Sequence, residues 1–143
     1  MTHDEVQAWL DRYVEAWLSY DPVRIGDLFS ADATYRFQPW HEGDRVLRGR
    51  AAIVAGWLDP ELHDDPDTVR AAYRPFAVDG DRAVAVGASL YLEGPGGPVR
   101  DAWDNCYLLR FDPDGRCAEF TEFWVKRPAE TPGDRAGATA TPR

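Results

Sequence analysis

The chain has 143 residues, 44% of them hydrophobic and 13% aromatic, which is typical of one globular domain with its own core. Its formal net charge of −9 leaves no basic surface to meet phosphate, which argues against nucleic-acid and anionic-membrane partners. The N-terminus is acidic rather than signal-like, and no apolar stretch approaches the length of a membrane span. We therefore expect a cytoplasmic protein.

The two cysteines and three histidines give no sign of a disulfide or a metal site. Cys106 and Cys117 fall on the two arms of one predicted hairpin, about five rungs apart, which is too far for a disulfide. His3, His41 and His63 are scattered and form no zinc-type cluster with them. We therefore expect a reduced protein that needs no metal or cofactor.

Three helices are predicted in the first half of the chain. Apolar residues recur at helical spacing over residues 4–19, with charged residues between them. Asp21 and Pro22 are typical of an N-cap and a first helical position, so they begin a second helix over residues 22–29. A third helix is predicted over residues 50–58, where an Asp-Pro pair stops it.

The strands are predicted between and after these helices. A short strand over residues 34–37 separates the second helix from the third. Turn residues then separate three strand-like segments, over residues 68–78, 82–93 and 99–111. A last strand follows and ends at Lys126. This order predicts an α+β domain in which three N-terminal helices pack against one face of a mostly antiparallel sheet.

The domain is predicted to end close to this last strand. Residues 128–143 contain few large apolar side chains, so we expect them to form a disordered tail. Residues 1–127 would then form a single domain.

The final hairpin turns at residues 112–115, Asp-Pro-Asp-Gly, where proline presets the first turn position and glycine supplies the left-handed residue. If Asp112 pairs with Arg116, the alternation of side chains along both strands predicts which residues share a face. The pairs on that face are Asp104 with Trp124, Cys106 with Glu122, and Leu108 with Phe120. Two carboxylates on an apolar face are costly unless a site uses them, so this face is predicted to line the functional site.

Glu122 is the first catalytic candidate, because a carboxylate among aromatic side chains should have a raised pKa suited to acid–base work. It could instead be a buried structural glutamate, paired with Arg110 or with an arginine from a helix. Asp104 is either its acid–base partner or a residue that points outward at the strand rim.

Tyr35 and His41 complete the catalytic candidates. Tyr35, like Tyr91, could donate a hydrogen bond to a ligand oxygen, or it could simply pack as an aromatic strand residue. His41 lies in a loop beside Trp40, where it could act as a base, contact a ligand at the rim of a pocket, or stand in solvent.

The opposite face of the final hairpin is predicted to carry Trp103, Tyr107, Thr121 and Phe123. An exposed aromatic patch of that size usually marks an interface, so we expect a homodimer formed through this outer face.

Four segments of the sequence resemble those of a known family: residues 21–35, 47–53, 111–116 and 120–124. Over residues 4–126 the chain resembles the nuclear transport factor 2-like superfamily, in its SnoaL-like bacterial branch. The resemblance implies a curved sheet that forms a cone-shaped half-barrel, helices that close an internal pocket, and dimerisation through the outer sheet face. Isomerases, dehydratases, cyclases and epoxide hydrolases share this fold with pocket proteins of no known chemistry, so the fold does not choose among them.

Each known chemistry of the superfamily requires a side chain that this sequence lacks. Ketosteroid isomerases carry a carboxylate base on the first strand, where this sequence has Phe37. Limonene-type epoxide hydrolases hold a water with a tyrosine and a final-strand carboxylate, which Tyr35 and Glu122 match, and with an asparagine, which Phe37 replaces. Ser89 and Tyr91 stand near the places of that family's arginine and aspartate.

The wall of the pocket is expected to be mostly aromatic and to bind an apolar small molecule. The predicted ligand-binding residues are Trp17, Phe37, Trp40, Trp57, Ser89, Tyr91, Cys106, Phe120 and Trp124. The leading hypothesis is an enzyme that isomerises, dehydrates, cyclises or hydrolyses this ligand by acid–base chemistry through Glu122. The alternatives are a non-catalytic module that binds an apolar ligand or a partner protein, and a dimerising structural accessory.

Overall fold

Three helices and a six-stranded sheet make up the computed structural model, which describes residues 1–129. The helices are α1 (His3–Ser19), α2 (Pro22–Asp27) and α3 (Arg50–Trp57). The strands are β1 (Phe29–Arg36), β2 (Leu47–Arg48), β3 (Val69–Asp79), β4 (Arg82–Leu92), β5 (Val99–Phe111) and β6 (Cys117–Lys126). The short β2 is missing from the sequence prediction, and β1 begins at Phe29 rather than at residue 34. Residues 130–143 of the predicted tail lie outside the described residues.

Both α1 and α2 begin where a side chain satisfies the first free backbone N–H groups. Thr2 accepts a hydrogen bond from the Glu5 backbone N–H at 3.1 Å, and the Glu5 carboxylate accepts one from the Thr2 N–H at 2.7 Å. Asp21 accepts a hydrogen bond from the Val23 N–H at 2.8 Å, so its predicted role as an N-cap is confirmed. The buried stripe of α1, which includes Tyr13, faces the sheet. Within residues 1–129, no helix is long and apolar enough to cross a membrane.

The strands form one curved sheet in the order β2-β1-β6-β5-β4-β3. β1 runs parallel to β6, and each other neighbouring pair is antiparallel. Of the six described strands, the outermost two do not pair with each other, so the sheet remains an open half-barrel. The helices cover its inner face, which confirms the predicted α+β fold.

Aromatic rings fill the core between α1 and the β1–β6 part of the sheet. Trp9 of α1 meets Phe111 edge to face, with ring centroids 5.5 Å apart. Tyr35 of β1 stacks on Phe120 of β6 at 4.4 Å. Because Phe120 is fully buried among these rings, it belongs to the core and not to the ligand site in which it was predicted.

The predicted register of the β5–β6 hairpin is wrong by one residue. The turn at 112–115 forms as expected, with its glycine at φ 81°. Phe111 pairs with Cys117, yet the residue before Phe111 pairs with Glu119, which leaves Ala118 as an extra residue in β6. This single bulge shifts β5 by one position against β6 and so exchanges the two faces of β5.

The exchange corrects the predicted positions of five side chains on β5. Asp104, Cys106 and Leu108 lie on the outer face of the sheet, away from the helices, and are not part of the internal site. The Asp104 carboxylate accepts two hydrogen bonds of 2.8 Å from Arg127 there. Trp103 and Tyr107, which were predicted for the outer face, point inward instead.

Candidate functional site

An open cavity of about 750 Å³ lies between the helices and the inner face of the sheet. A cavity of that volume suits a small organic molecule. Helices α1 and α3 supply one side of the wall, and β1 and β3–β6 supply the other. The inner part of the wall is formed by Tyr13, Trp17, Tyr35, Trp57, Tyr73, Ser89, Tyr91, Asn105, Tyr107 and Glu122.

Glu122 extends into this cavity from β6, directly opposite Tyr107 of β5. Among residues 1–129, no group donates a hydrogen bond to its carboxyl and no cation pairs with it. The predicted alternative of an ion pair with Arg110 does not form, since Arg110 pairs with Glu119 at 3.2 Å on the outer face. Burial therefore acts unopposed and raises the pKa of Glu122 to about 8.

Buried phenols surround this carboxyl group. Burial raises the pKa of Tyr35 well above its usual value, and the nearby charge of Glu122 raises it further. Burial also raises the pKa of Tyr13 and of Tyr107, with Glu122 again a contributor. All three phenols therefore keep their protons at neutral pH and can donate hydrogen bonds.

A second polar group lies on the part of the wall formed by β3, β4 and β5. The Tyr73 and Ser89 hydroxyl oxygens are 2.6 Å apart. The Asn105 amide nitrogen lies 3.0 Å from the hydroxyl oxygens of Ser89 and of Tyr107, and 3.3 Å from that of Tyr73. We call these four residues the amide–hydroxyl cluster. The amide oxygen of Asn105 is buried and has no hydrogen-bond partner within residues 1–129.

Three charged groups of the site lie at its rim. Asp101 is 2.7 Å from the Lys126 ammonium and 2.9 Å from the Arg100 guanidinium. Hydrogen bonds from Lys126, and then from Arg100, lower the pKa of Asp101. Lys126 also lies 5.5 Å from the centre of the Trp103 ring, which meets the Trp124 ring edge to face at 4.6 Å. The rim thus combines two indoles with two cations that share one carboxylate.

The loop after α3 covers another part of the rim. His63 stacks on Tyr20 with ring centroids 3.9 Å apart, and the Tyr20 hydroxyl accepts a hydrogen bond from the Asp64 backbone N–H at 2.6 Å. These contacts place Leu62 and Asp64 at the cavity wall. Burial raises the pKa of the Asp64 carboxyl, against a hydrogen bond from the Trp17 indole that lowers it.

His41 and Phe37 line the cavity near its opening, as predicted from the sequence. The Nδ1 atom of His41 is buried and has no hydrogen-bond partner in the described part of the chain. The Phe37 carbonyl accepts a hydrogen bond from the Trp124 indole at 3.2 Å. Trp40, in contrast, is 66% exposed and does not contribute to the wall where it was predicted.

The structure brings most of the predicted site residues to one cavity. Those that line it are Glu122, Tyr35, His41, Trp17, Phe37, Trp57, Ser89, Tyr91 and Trp124. Those that do not are Asp104 and Cys106 on the outer face, Trp40 in solvent and Phe120 in the core.

Sequence reasoning missed several side chains of the wall, among them Tyr13, Tyr73, Asn105 and Tyr107. Asn105 carried a signal, because an amide between the aromatic and aliphatic residues of a strand must find polar partners when it is buried. Tyr13 lay on the apolar stripe of the first predicted helix, where a hydroxyl needs a partner for the same reason.

Chemically, the cavity offers one exchangeable proton on Glu122, several phenol donors and flat apolar walls. This combination can bind an apolar molecule and move a proton on it. Within residues 1–129, the structure gathers no group of three or more His, Cys, Asp or Glu side chains that could hold a metal ion.

A ketosteroid isomerase-like protein from Kribbella flavida has a similar structure. The TM-score is 0.65 and the sequence identity is 17%, over 99% of this chain and 93% of that one. At this identity the likeness establishes the fold alone. No curated protein matches the sequence. Residues 10–120 match the family described as SnoaL-like domain, so the resemblance seen in the sequence is confirmed and the chain belongs to the SnoaL-like domain family of the nuclear transport factor 2-like superfamily.

Proposed function

We propose that this protein binds an apolar small molecule in the cavity and catalyses a proton transfer on it, with Glu122 as the general acid–base. The observation that carries the proposal is the isolation of this carboxyl group, which has neither an ion pair nor a hydrogen-bond donor among residues 1–129. A structural glutamate would be held by such a partner. A carboxyl group left free inside a cavity remains available to a ligand.

The raised pKa of Glu122 fits this role. A group with a pKa of about 8 holds its proton in most molecules at neutral pH and releases it in a useful fraction of them. As a base it is also stronger than an ordinary carboxylate, so it can take a proton from a weak carbon acid. The phenols of Tyr35 and Tyr107 stand beside it and can stabilise charge that develops on a ligand oxygen.

The position of Glu122 also supports chemistry of the isomerase type. Ketosteroid isomerases carry a carboxylate base on the first strand, where this chain has Phe37. Strands β1 and β6 are parallel neighbours, and Arg36 of β1 pairs with Thr121 of β6. Phe37 and Glu122 are the next residues along the chain, so they occupy adjacent positions. Glu122 thus offers a carboxyl group on the strand beside β1, and it faces the same cavity as Phe37.

The proposal is tested by deuterium uptake of 2-tetralone, a flat cyclic ketone, in heavy water followed by NMR. The wild-type protein is expected to accelerate exchange next to the carbonyl, with a rate that rises with pH and levels off above about pH 8, because the base form then predominates. Glu122→Gln should lower the rate by about a hundredfold or more, while quenching of tryptophan fluorescence still reports binding.

Glu119→Gln is the matched control, because it removes a carboxylate from the outer face of the same strand. Tryptophan fluorescence suits the binding measurement, since Trp17, Trp57, Trp103 and Trp124 line the cavity. If the ketone binds but exchanges no faster than in buffer, the protein is the non-catalytic binding module and the catalytic proposal is wrong.

We also propose that the protein forms a homodimer through the outer face of the sheet. The exposed apolar side chains on that face are Leu108 of β5 with Phe123 and Val125 of β6. Arg110 and Glu119 lie beside them with opposite charges. A twofold axis that passes between these two charges would place each charge of one copy near its opposite in the other, so a second copy of the chain is a complementary partner.

A further inference from the structure

We propose that the rim of the cavity binds a carboxylate group at the outer end of an apolar ligand, through Arg100 and Lys126. This inference rests on the proposed function and narrows its ligand class to organic anions with an apolar body. It is carried by the backbone at Arg100, by the unused donors of both cations, and by the positions of the charges along the cavity.

The backbone of β5 contains an irregularity that brings Arg100 to the cavity. Asp101 pairs with Tyr91 of β4, yet Val99 pairs with the next residue of β4, Leu92, so Arg100 is an extra residue in β5. In a regular strand, two consecutive side chains lie on opposite faces. Here both Arg100 and Asp101 line the cavity, because a bulge re-aims a side chain. The sheet therefore departs from its regular ladder at the position that turns a guanidinium group toward the cavity.

Arg100 and Lys126 have donors that the protein leaves unused. The Nε atom of Arg100 lies 2.9 Å from one carboxylate oxygen of Asp101, and the Lys126 ammonium lies 2.7 Å from the other. Within residues 1–129, the two Nη groups of Arg100 form no hydrogen bond, and Lys126 pairs with no second carboxylate. Paired N–H groups of a guanidinium match the two oxygens of a carboxylate. The rim can therefore bind a second carboxylate, brought by a ligand.

Asp64 is another acidic residue near Arg100, and its surroundings weaken its competition for that cation. The Asp64 carboxyl is partly buried in the cavity wall and accepts a hydrogen bond from the Trp17 indole. Burial raises the pKa of Asp64, and this effect outweighs the charge of Arg100, which lowers it. The neutral form of Asp64 is therefore more favoured than that of an ordinary aspartate.

An anionic group finds a counter-charge at only one end of the cavity. Of the lysines and arginines in residues 1–129, Arg100 alone lines the cavity, and the Lys126 ammonium lies beside it across Asp101. The interior holds uncharged phenols and Glu122, so a carboxylate bound there would be buried without a cation. A ligand is therefore expected to place its anionic end at the rim and its apolar end inside.

The spacing along β6 sets the length of such a ligand. Glu122, Trp124 and Lys126 share one face of this strand, and four residues of a strand span roughly 13 Å. Trp103 pairs with Lys126, and its ring meets the Trp124 ring edge to face, so two indoles line the cavity near the rim. A ligand that reaches both Glu122 and the rim cations needs a flat apolar body of about that length.

Three probes with one apolar body of this length test the inference: biphenylbutanoate, biphenylbutanamide and biphenylbutylamine, which carry an anion, a neutral group and a cation. Equilibrium dialysis of the full chain at neutral pH and low salt should show the carboxylate bound about fivefold or more tighter than the amide. The amine should bind more weakly than the amide. High salt should reduce the preference for the carboxylate, because the charges of the rim are exposed and screened.

Substitutions at the rim should change this preference in opposite directions. Arg100→Gln and Lys126→Gln should each bring the ratio of carboxylate to amide affinity closer to one. Asp101→Asn should raise the ratio, because the two cations then have no carboxylate of their own. Arg74→Gln is the matched control, since it removes the same charge from an exposed position of β3 outside the cavity, and it should keep the ratio.

The ratio also separates a rim contact from a structural role, because a loss of packing would weaken the binding of both probes. Equal binding of carboxylate and amide, tightest binding of the amine, or a ratio unchanged in Arg100→Gln and Lys126→Gln would overturn the anion subsite but leave the apolar pocket intact. Failure of all three probes to bind would instead contradict the proposed function, and the inference would fall with it.

Discussion

Glu122 differs from Asp101, which also lines the cavity, in having no partner for its charge among residues 1–129. Asp101, at the rim, lies within hydrogen-bond distance of Lys126 and Arg100, which lower its pKa. Glu122 faces phenols and indoles, and burial raises its pKa to about 8. The two carboxyl groups thus show the opposite effects of a counter-charge and of desolvation in one site.

The isolation of Glu122 has a measurable effect on stability. Its pKa in the folded chain, about 8, lies above the ordinary value of 4.5, so the native state binds more protons than the unfolded state between these two values. The contribution of Glu122 to the free energy of unfolding should therefore be highest below about pH 4.5 and should fall as the pH rises toward about 8. Glu122→Gln lacks this dependence, and its stability relative to wild type should increase by on the order of 3 kcal/mol between about pH 5 and pH 8.

Urea unfolding of both proteins across this pH range measures the difference. Glu119→Gln serves as the control, because its side chain is exposed on the outer face of the same strand. Parallel pH profiles for wild type and Glu122→Gln would show that the pKa of this carboxyl group is not raised in the folded chain, and a large loss of stability in Glu122→Gln would show that it is a structural ion-pair partner.

At the scale of elements, one extra residue in β6 determines the composition of the site. Ala118 is the bulge, and it turns Asn105 and Tyr107 inward while turning Asp104 and Cys106 outward. The cavity therefore lacks the Asp104 carboxyl group, which excludes an acid–base pair between Asp104 and Glu122.

The outward position of Asp104 is open to a direct test. Asp104→Asn should leave the binding and the deuterium exchange of 2-tetralone unchanged, because the residue contacts Arg127 and not the cavity. Its effect on the free energy of unfolding should be below about 1 kcal/mol, since the ion pair is exposed. A loss of exchange activity comparable to that of Glu122→Gln would mean that the register is wrong.

The close approach of β3 and β4 gives a second prediction at this scale. Gly87→Ala should lower the free energy of unfolding by about 3 kcal/mol, because the new methyl group would overlap the Ala72 carbonyl and the Tyr73 ring. Gly94→Ala is the control, since a Cβ there meets nothing within 4 Å. Urea unfolding separates the two variants, and equal stability would contradict the packing of Tyr73 over Gly87.

At the scale of the whole molecule, the two faces of the sheet have different chemistry. The inner face holds the cavity, and the outer face presents Leu108 and Phe123 at 45% and 38% exposure. The predicted aromatic patch is smaller than expected, because Trp103 and Tyr107 belong to the inner face. What remains of the outer patch is aliphatic and aromatic, and a second copy of the chain can cover it.

Light scattering at micromolar concentration should find a dimer, and Leu108→Lys should convert it to a monomer by burying an unpaired charge in the interface. Val23→Lys is the matched control, because Val23 is 68% exposed on α2, away from the sheet. A wild-type monomer at this concentration would refute the dimer, and dissociation by both variants would refute the assigned face.

The sequence by itself determined the three helices, five of the six described strands and the candidate carboxyl group of the cavity. These features depend on local chemistry. The spacing of apolar residues defines α1, and the Asp21–Pro22 pair begins α2. The final turn needs a residue with left-handed backbone geometry, which its glycine supplies. Glu122 could be recognised because a carboxyl group among aromatic strand residues is unusual wherever the strand lies.

Only the tertiary structure decided which side chains join Glu122. A strand alternates its faces with a period of two, so the single bulge at Ala118 reverses every assignment on β5, and no local signal marks that residue. The amide–hydroxyl cluster draws Tyr73, Ser89 and Asn105 from three strands, with sequence separations of 16 and 32 residues from Tyr73. Such contacts depend on the curvature and register of the whole sheet, and for that reason the residues that complete the site could not be read from the sequence.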